Sequence, residues 1–372
     1  MKYYIIAGEA SGDLHGSNLM KELYRQDKTA AIRFWGGDLM QAVGGTLVSH
    51  YKNRAFMGFF EVLKNLTKVL GLIKFCKKDI ADFKPDVVVF IDNSGFNLRI
   101  AKWAKERGFR TSYYISPQVW ASRAGRVKDI KRDIDTLFVI LPFEKDFYKK
   151  YAYDVQFVGH PLIDAIADRV QVSEAEFRKE HALSTQKIIA LLPGSRKQEI
   201  TKMLSVMLSL VTDFSEYQFV IAGAPSQDFS FYKQIIGTRE VAFINNKTYD
   251  LLSISYAALV ASGTATLETA LFKVPQVVCY KGGYISYQIA KRIITLKFIS
   301  LVNLILEKEV VKELIQDDFN KQNLKAELTA ILEDTHREKM FLHYFNLEKK
   351  LGGKGASKNV ATQIVAFFKG HA

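Results

Sequence analysis

Short uninterrupted apolar runs alternate along the chain with longer stretches whose apolar residues recur at helical spacing. In the first half, the runs at 3–7, 32–35, 87–91, 111–115 and 136–141 predict strands, and the stretches 16–24, 60–83, 98–107 and 143–151 predict amphipathic helices. Runs of four to six apolar residues without polar alternation, each followed by a helix, indicate a parallel sheet covered on both faces. The same pattern restarts after residue 164, with strands predicted at 188–192, 218–222, 241–244, 257–260 and 276–280. The polar stretch 168–186 has no strand of its own and reads as a hinge region. The expected fold is therefore α/β, two doubly wound Rossmann-like domains facing a cleft, with residues 1–165 in the first and 166–345 in the second. Residues 346–372 form a helical segment that the pattern leaves unassigned. In such folds ligands bind outside the carboxyl ends of the strands.

Composition narrows the class. A chain of 372 residues exceeds what one core usually supports, and 48% hydrophobic residues with only 7 prolines leave no room for a long disordered segment. The two cysteines, Cys76 and Cys279, follow no metal-ligand or disulfide spacing, which fits a reducing compartment. No basic leader precedes the first apolar run, and no stretch is long and apolar enough to span a bilayer, so neither secretion nor a membrane anchor is expected. The net charge of +13 is uneven: residues 1–160 hold 26 lysines and arginines against 17 acids. The first half is therefore expected to face an anionic partner, either a phosphorylated substrate or an anionic lipid surface; no nucleic-acid module is present.

The chemistry concentrates where predicted strands end. The first is followed by Gly8-Glu9-Ala10-Ser11-Gly12-Asp13-Leu14-His15-Gly16, a glycine-rich stretch at a helix start whose spacing is not that of a dinucleotide fingerprint. The third ends in Asp92-Asn93-Ser94-Gly95-Phe96-Asn97, and the fourth in Ser116-Pro117-Gln118-Val119-Trp120-Ala121. Asp92, Glu9, Asp13 and His15 supply proton acceptors on adjacent strand ends, as general-base catalysis requires; Trp120 and Gln118 suit a sugar ring. In the second half, Pro193-Gly194-Ser195-Arg196 leads into a helix, a sound diphosphate site because arginine grips two oxygens while the helix N-terminus favours negative charge. Ser262-Gly263-Thr264-Ala265-Thr266-Leu267-Glu268 repeats the arrangement, with Glu268 placed to take a ribose diol. Two such loops suggest a nucleotide carrying a diphosphate and a sugar. Asp133 and Asp135 precede a strand rather than follow one and read as solvated charge, and no metal or other cofactor is expected.

Taken in order, these segments, together with Leu141-Pro142-Phe143-Glu144 and Val158-Gly159-His160-Pro161, resemble the lipid-A-disaccharide synthase family of two-Rossmann-domain (GT-B) glycosyltransferases. The resemblance implies an inverting reaction. It joins UDP-2,3-diacylglucosamine to 2,3-diacylglucosamine 1-phosphate, gives a β-1,6-linked disaccharide 1-phosphate and releases UDP. It also implies that Gly194, Ser195, Arg196, Ser262, Gly263, Thr264, Thr266, Glu268, Asn303 and Gln316 bind the UDP-sugar, and that Ser11, Gly12, Asn97, Gln118 and Trp120 lie at the acceptor. Many relatives carry a second Asp where this chain has Gly95, which leaves Asp92 as the nearest carboxylate and the favoured base. Other readings are a different UDP-sugar enzyme of this fold, a lipid-linked GlcNAc transferase or UDP-GlcNAc 2-epimerase, or a membrane-associated nucleotide-sugar binding protein without turnover.

Residues 52–84 carry eight lysines and arginines around Phe56, Met57, Phe59, Phe60, Leu63, Leu66, Leu70 and Phe75. These apolar residues exceed what one buried helix face needs, so a basic amphipathic segment is expected at an anionic membrane surface, led by Phe56, Phe59, Phe60, Lys64 and Lys68. The resulting expectation is a cytoplasmic protein, peripheral on the inner face of the inner membrane. A homodimer is left open.

Overall fold

The computed structural model describes residues 1–54, 66–283 and 297–369. The chain forms two compact units, one of Met1–Ala167 with Leu351–Ala372 and one of Asp168–Lys350. In the first unit seven strands, β1 (Lys2–Ala7), β2 (Ala31–Gly36), β3 (Thr46–His50), β4 (Val87–Ile91), β5 (Thr111–Tyr114), β6 (Thr136–Val139) and β7 (Gln156–Phe157), form one parallel sheet. Their order is β3-β2-β1-β4-β5-β6-β7. The central strands β1 and β4 pair from Tyr3 opposite Val87 to Ala7 opposite Ile91, and every residue of β4 is fully buried. Unbroken Val/Ile/Phe runs are what a sheet packed on both faces demands.

The second unit repeats the plan with β8 (Ile188–Leu192), β9 (Gln218–Gly223), β10 (Ala242–Asn245), β11 (Ser255–Ala261), β12 (Gln276–Tyr280) and β13 (Glu313–Ile315) in the parallel order β10-β9-β8-β11-β12-β13. In each sheet the strand order reverses direction once, between β1 and β4 and between β8 and β11. At such a reversal the crossovers leave to opposite faces and open a crevice at the carboxyl ends. The loops singled out in the sequence follow these four strands, with the Ser116–Trp120 loop one strand further along.

Three strands have no counterpart in the sequence reading, nor do several short helices, Asp38–Val43, Val127–Asp133 and Pro161–Ala167 among them. β3, β7 and β13 are short edge or near-edge strands, and none contains a long apolar run; the helix Asp38–Val43 is six residues long. The first helix also begins earlier than its glycines suggest, at Ala10, and runs to Gln26. Glycine disfavours helix interiors by about 1 kcal/mol each, but packing requires it here. A Cβ on Gly12 would lie 3.2 Å from the Ala7 Cβ, and one on Gly16 would lie 2.6 Å from the Met40 sulfur.

The C-terminal helix Ala356–Lys369 packs against the helix Ala10–Gln26. Its start is held by Asp164, whose carboxylate accepts from the amides of Gly355 (2.6 Å) and Ser357 (3.3 Å). The amide of His160 donates to the Leu351 carbonyl at 2.9 Å. The polar stretch after residue 168 contains the helix Glu174–Glu180, capped by Ser173. Asp133 and Asp135 are not solvated: Asp133 is buried in a bidentate pair with Arg132, and Asp135 accepts from the Thr111 amide and hydroxyl.

Candidate active site

In the first unit the carboxyl ends of β1 and β4 bring two loops into contact. A Cβ on Gly8 would sit 2.0 Å from the Asn93 side-chain nitrogen, so only glycine permits this approach. Asp92 and Asn93 both adopt left-handed backbone conformations, φ 46° and 45°. Such geometry persists in non-glycine residues only where the surroundings enforce it. They do so here through the Asp92 carbonyl, which accepts from the Asn97 amide group (2.8 Å) and the Tyr113 hydroxyl, while the Asp92 amide donates to the Tyr114 carbonyl (3.2 Å). The backbone is pinned and the carboxylate stays at the surface, taking the neighbouring Asn93 amide. Protein atoms crowded around that carboxylate still dehydrate it enough to raise its pKa, despite its access to water.

The other proposed proton acceptors differ in kind. Asp13 is buried, and its carboxylate accepts from the amides of Gly37 (2.7 Å), Leu39 (3.0 Å) and Met40 (3.0 Å). It caps the helix Asp38–Val43, so Asp13 is corrected from catalytic candidate to structural anchor; a short-range sequence reading misses it because the capped helix lies 25 residues away. His15 is buried with its Nδ1 unpartnered, and burial depresses its pKa to about 4, which makes it neutral at physiological pH. Buried His160, with its pKa lowered to about 3 by burial and by His15, accepts from the Leu162 amide. Glu9 and Ser11 are exposed at the start of the first helix.

Of the residues expected at the acceptor, Gln118 is exposed and Trp120 is half-buried, its ring edge-on to Phe143 at 4.9 Å and its indole N–H without a partner among the described residues. Asn97 is corrected: fully buried, it spends its amide hydrogens on the carbonyls of Ile91 and Asp92. Gly12 is likewise corrected, since it is buried against Ala7. The Leu141–Glu144 segment, to which the sequence reading gave no role in the site, holds a buried carboxyl. Glu144 accepts from the amides of Ile140 and Leu141, and burial pushes its pKa up to about 8.

The second unit holds a cavity of about 300 Å³ at the carboxyl ends of β8, β9 and β11, lined by Gly194, Ser195, Ser262, Gly263, Thr264 and Glu268 among others. Gly194 (φ 103°) turns the chain into the helix Lys197–Leu208, and Gly263 (φ 150°) into the helix Thr264–Leu271. Two helix N-termini thus present unpaired amides at one cavity, an arrangement suited to a diphosphate. Arg196 is 81% exposed and paired at 3.0 Å with Glu199, a cavity-lining carboxylate not anticipated from sequence. Glu268 accepts from the Tyr249 hydroxyl at 2.9 Å, and dehydration raises its pKa. Gly223 and Thr248 also line the cavity; a Cβ on Gly223 would collide with Phe243 at 2.3 Å.

Two nucleotide contacts are corrected. Thr266 is buried and donates its hydroxyl to the Gly263 carbonyl (2.8 Å), which braces the loop. Asn303 is fully buried: it donates to Val311 O (2.8 Å) and Glu313 (2.9 Å) and accepts from the amides of Val310 (2.7 Å) and Val311 (3.0 Å). Its hydrogen-bonding capacity is spent within the protein. Gln316 differs: at the carboxyl end of β13, with φ 56°, its side-chain nitrogen is buried and has no partner among the described residues.

For the membrane segment, Phe56, Phe59, Phe60 and Lys64 lie outside the described residues. The helix Leu66–Phe83 that follows exposes Lys68, Leu70, Lys74, Phe75 and Lys78 on its outer side, with Leu70 and Phe75 among the most exposed large apolar residues. No helix among the described residues is long and apolar enough to cross a membrane.

A model of the family described as lipid-A-disaccharide synthetase matches residues 3–366. The lipid-A-disaccharide synthase of Syntrophus aciditrophicus is 39% identical, covering 98% of this chain and 97% of that protein. That of Coxiella burnetii is 36% identical over 97% and 96%. Among solved structures, a UDP-GlcNAc 2-epimerase from Neisseria meningitidis bound to UDP-GlcNAc superimposes with a TM-score of 0.73 at 16% identity, covering 98% of this chain and all of that one. The calicheamicin glycosyltransferase superimposes with a TM-score of 0.60 at 14% identity, covering 100% and 99%. At such identities these two show the shared two-domain fold alone.

Proposed function

Since the chain belongs to the lipid-A-disaccharide synthase family, whose members are glycosyltransferases, we propose a division of labour between its two units. The second unit takes the UDP of UDP-2,3-diacylglucosamine, and the first takes 2,3-diacylglucosamine 1-phosphate. The observation that carries the donor assignment is the cavity where two glycine turns aim two helix N-termini at one space, with Arg196 held beside it by its pair with the cavity-lining Glu199. Arg196, Ser195 and the amides after Gly194 and Gly263 hold the diphosphate; Glu268 holds the ribose through its remaining oxygen, and Gln316 supplies a free amide.

The acceptor side rests on Asp92. Transfer with inversion forms the bond from the acceptor 6-oxygen to the anomeric carbon as the bond to UDP breaks, and the hydroxyl proton must leave in the same step. A carboxylate held at a strand end, with a raised pKa and no side-chain partner among the described residues, is suited to take it. UDP leaves as a charged diphosphate that the amides and Arg196 stabilise. The alternatives, a lipid-linked GlcNAc transferase, a UDP-GlcNAc 2-epimerase or a binding protein without turnover, are not favoured by the family match.

Exposed Leu70 and Phe75 among Lys68, Lys74 and Lys78 support a further reading, in which this helix rests on the anionic cytoplasmic face of the inner membrane, where acylated substrates reside. The deciding experiment for the function incubates the protein with both lipid substrates and analyses the products by mass. Equimolar disaccharide 1-phosphate and UDP are expected; UDP-GlcNAc epimerisation, or UDP binding with no product, refutes the proposal.

A further inference from the structure

Beyond the Ser116–Trp120 loop the chain enters a single 3₁₀ turn, Ala124–Arg126, which runs directly into the helix Val127–Asp133. The turn is fixed at both ends: the Arg123 amide donates to the Val119 carbonyl at 2.9 Å and the Arg126 amide to the Arg123 carbonyl at 3.0 Å. Arg123 is the N-cap of this turn and Arg126 its last residue, so the two arginines flank one turn closed by the bond between their own backbone groups. Arg123 is exposed and Arg126 half-buried, and neither guanidinium has a hydrogen bond or ion pair with any described residue. The acids nearby are already engaged, Asp129 and Asp133 with Arg132 and Asp135 with Lys105. Two cations that flank one turn with no counterion among the described residues favour an arriving anion.

We propose that Arg123 and Arg126 form the site for the phosphate of the acceptor, an inference that rests on reading the first unit as the acceptor half. The acceptor carries its nucleophilic hydroxyl on C6 and its phosphate on C1, at opposite ends of one pyranose. Asp92 ends β4, and the arginine turn lies beyond the end of the neighbouring strand β5, with Gln118 and Trp120 between them in sequence. A sugar laid across these loops with its 6-hydroxyl at Asp92 directs its phosphate toward the turn. Guanidinium groups suit such a dianion because each offers two parallel donors to its oxygens. The site thereby selects a phosphorylated acceptor over a neutral one.

The same chemistry also suits a bilayer phosphate, so the test has two arms. In neutral detergent micelles, Arg123→Gln/Arg126→Gln is expected to raise KM for diacylglucosamine 1-phosphate about tenfold or more, with donor KM and UDP affinity unchanged. With diacylglucosamine lacking the phosphate, wild type and variant are expected to converge, a result that general damage to the fold would not give. Arg123→Lys/Arg126→Lys is expected to recover part of the loss. An equal loss on both acceptors, or an unchanged acceptor KM, overturns the proposal. So does an unchanged KM accompanied by release of the variant from phosphatidylglycerol vesicles but not from phosphatidylcholine controls, which assigns the arginines to the bilayer. A wild-type protein that makes no disaccharide refutes the acceptor reading itself, and this inference with it.

Discussion

Replacing Arg196 with alanine separates binding from folding. Its side chain is 81% exposed and rests on Glu199 at 3.0 Å, three residues along the same helix start. Exposed pairs of this kind contribute about 0–1 kcal/mol, so Arg196→Ala should move the unfolding temperature by no more than a few degrees. A charge-assisted contact to a diphosphate contributes about 1.5–3 kcal/mol, and each 1.4 kcal/mol is tenfold, so UDP affinity should fall about ten- to a hundredfold. Glu199 sharpens the test, because its carboxylate holds the arginine and lines the same cavity. Glu199→Gln should tighten UDP binding by about 1.5- to 5-fold, the value of the exposed pair it releases. On the Arg196→Ala background that gain should vanish if it comes from freeing the arginine. Isothermal titration with UDP, alongside thermal unfolding of the four proteins of the cycle, reads each term. Should Arg196→Ala bind UDP within twofold of wild type while folding normally, the diphosphate site has been misassigned.

Three further outcomes are expected. Asp92→Asn should lower kcat about a hundredfold or more with UDP affinity nearly unchanged; because the raised Asp92 pKa places the acidic limb of kcat above the ordinary carboxylate range, activity should fall as pH drops through it, and the variant should lose that limb. A Cβ at Gly95 meets no atom within 4 Å, so Gly95→Asp should fold normally and, combined with Asp92→Asn, recover part of the turnover in the same product assay; no recovery would mean a carboxylate at 95 cannot reach the acceptor. His15 and His160 have folded pKa values of about 4 and about 3, below the ordinary 6.5. The unfolded chain therefore binds more protons on acidification, and the stability their burial confers is intact above about pH 6.5 and lost as pH falls toward 4, with His15 alone accounting for about 3 kcal/mol; thermal unfolding across that range should show the decline, and His15→Gln should make it shallower.

The sequence by itself determined the architecture and the loops. The buried runs at β1, β4, β8 and β11 are unbroken because both faces of a parallel sheet are covered, and that pattern shows in one dimension. Glycine followed by a helix start also shows locally, so the turns at Gly194 and Gly263 that line the cavity are legible, as is the strand end at Asp92. What the sequence does not contain is the direction in which a polar side chain spends its hydrogen bonds. Asp13, Asn97, Thr266 and Asn303 have the chemistry of ligand contacts, and each turns inward, to backbone amides or carbonyls up to 27 residues away. Tertiary structure alone set that choice, because a buried amide or carbonyl left without a partner costs more than one surface contact returns. It also placed Glu199 against Arg196 and left Arg123 and Arg126 without an acid among the described residues, since the availability of a charge depends on which neighbours the fold brings within reach.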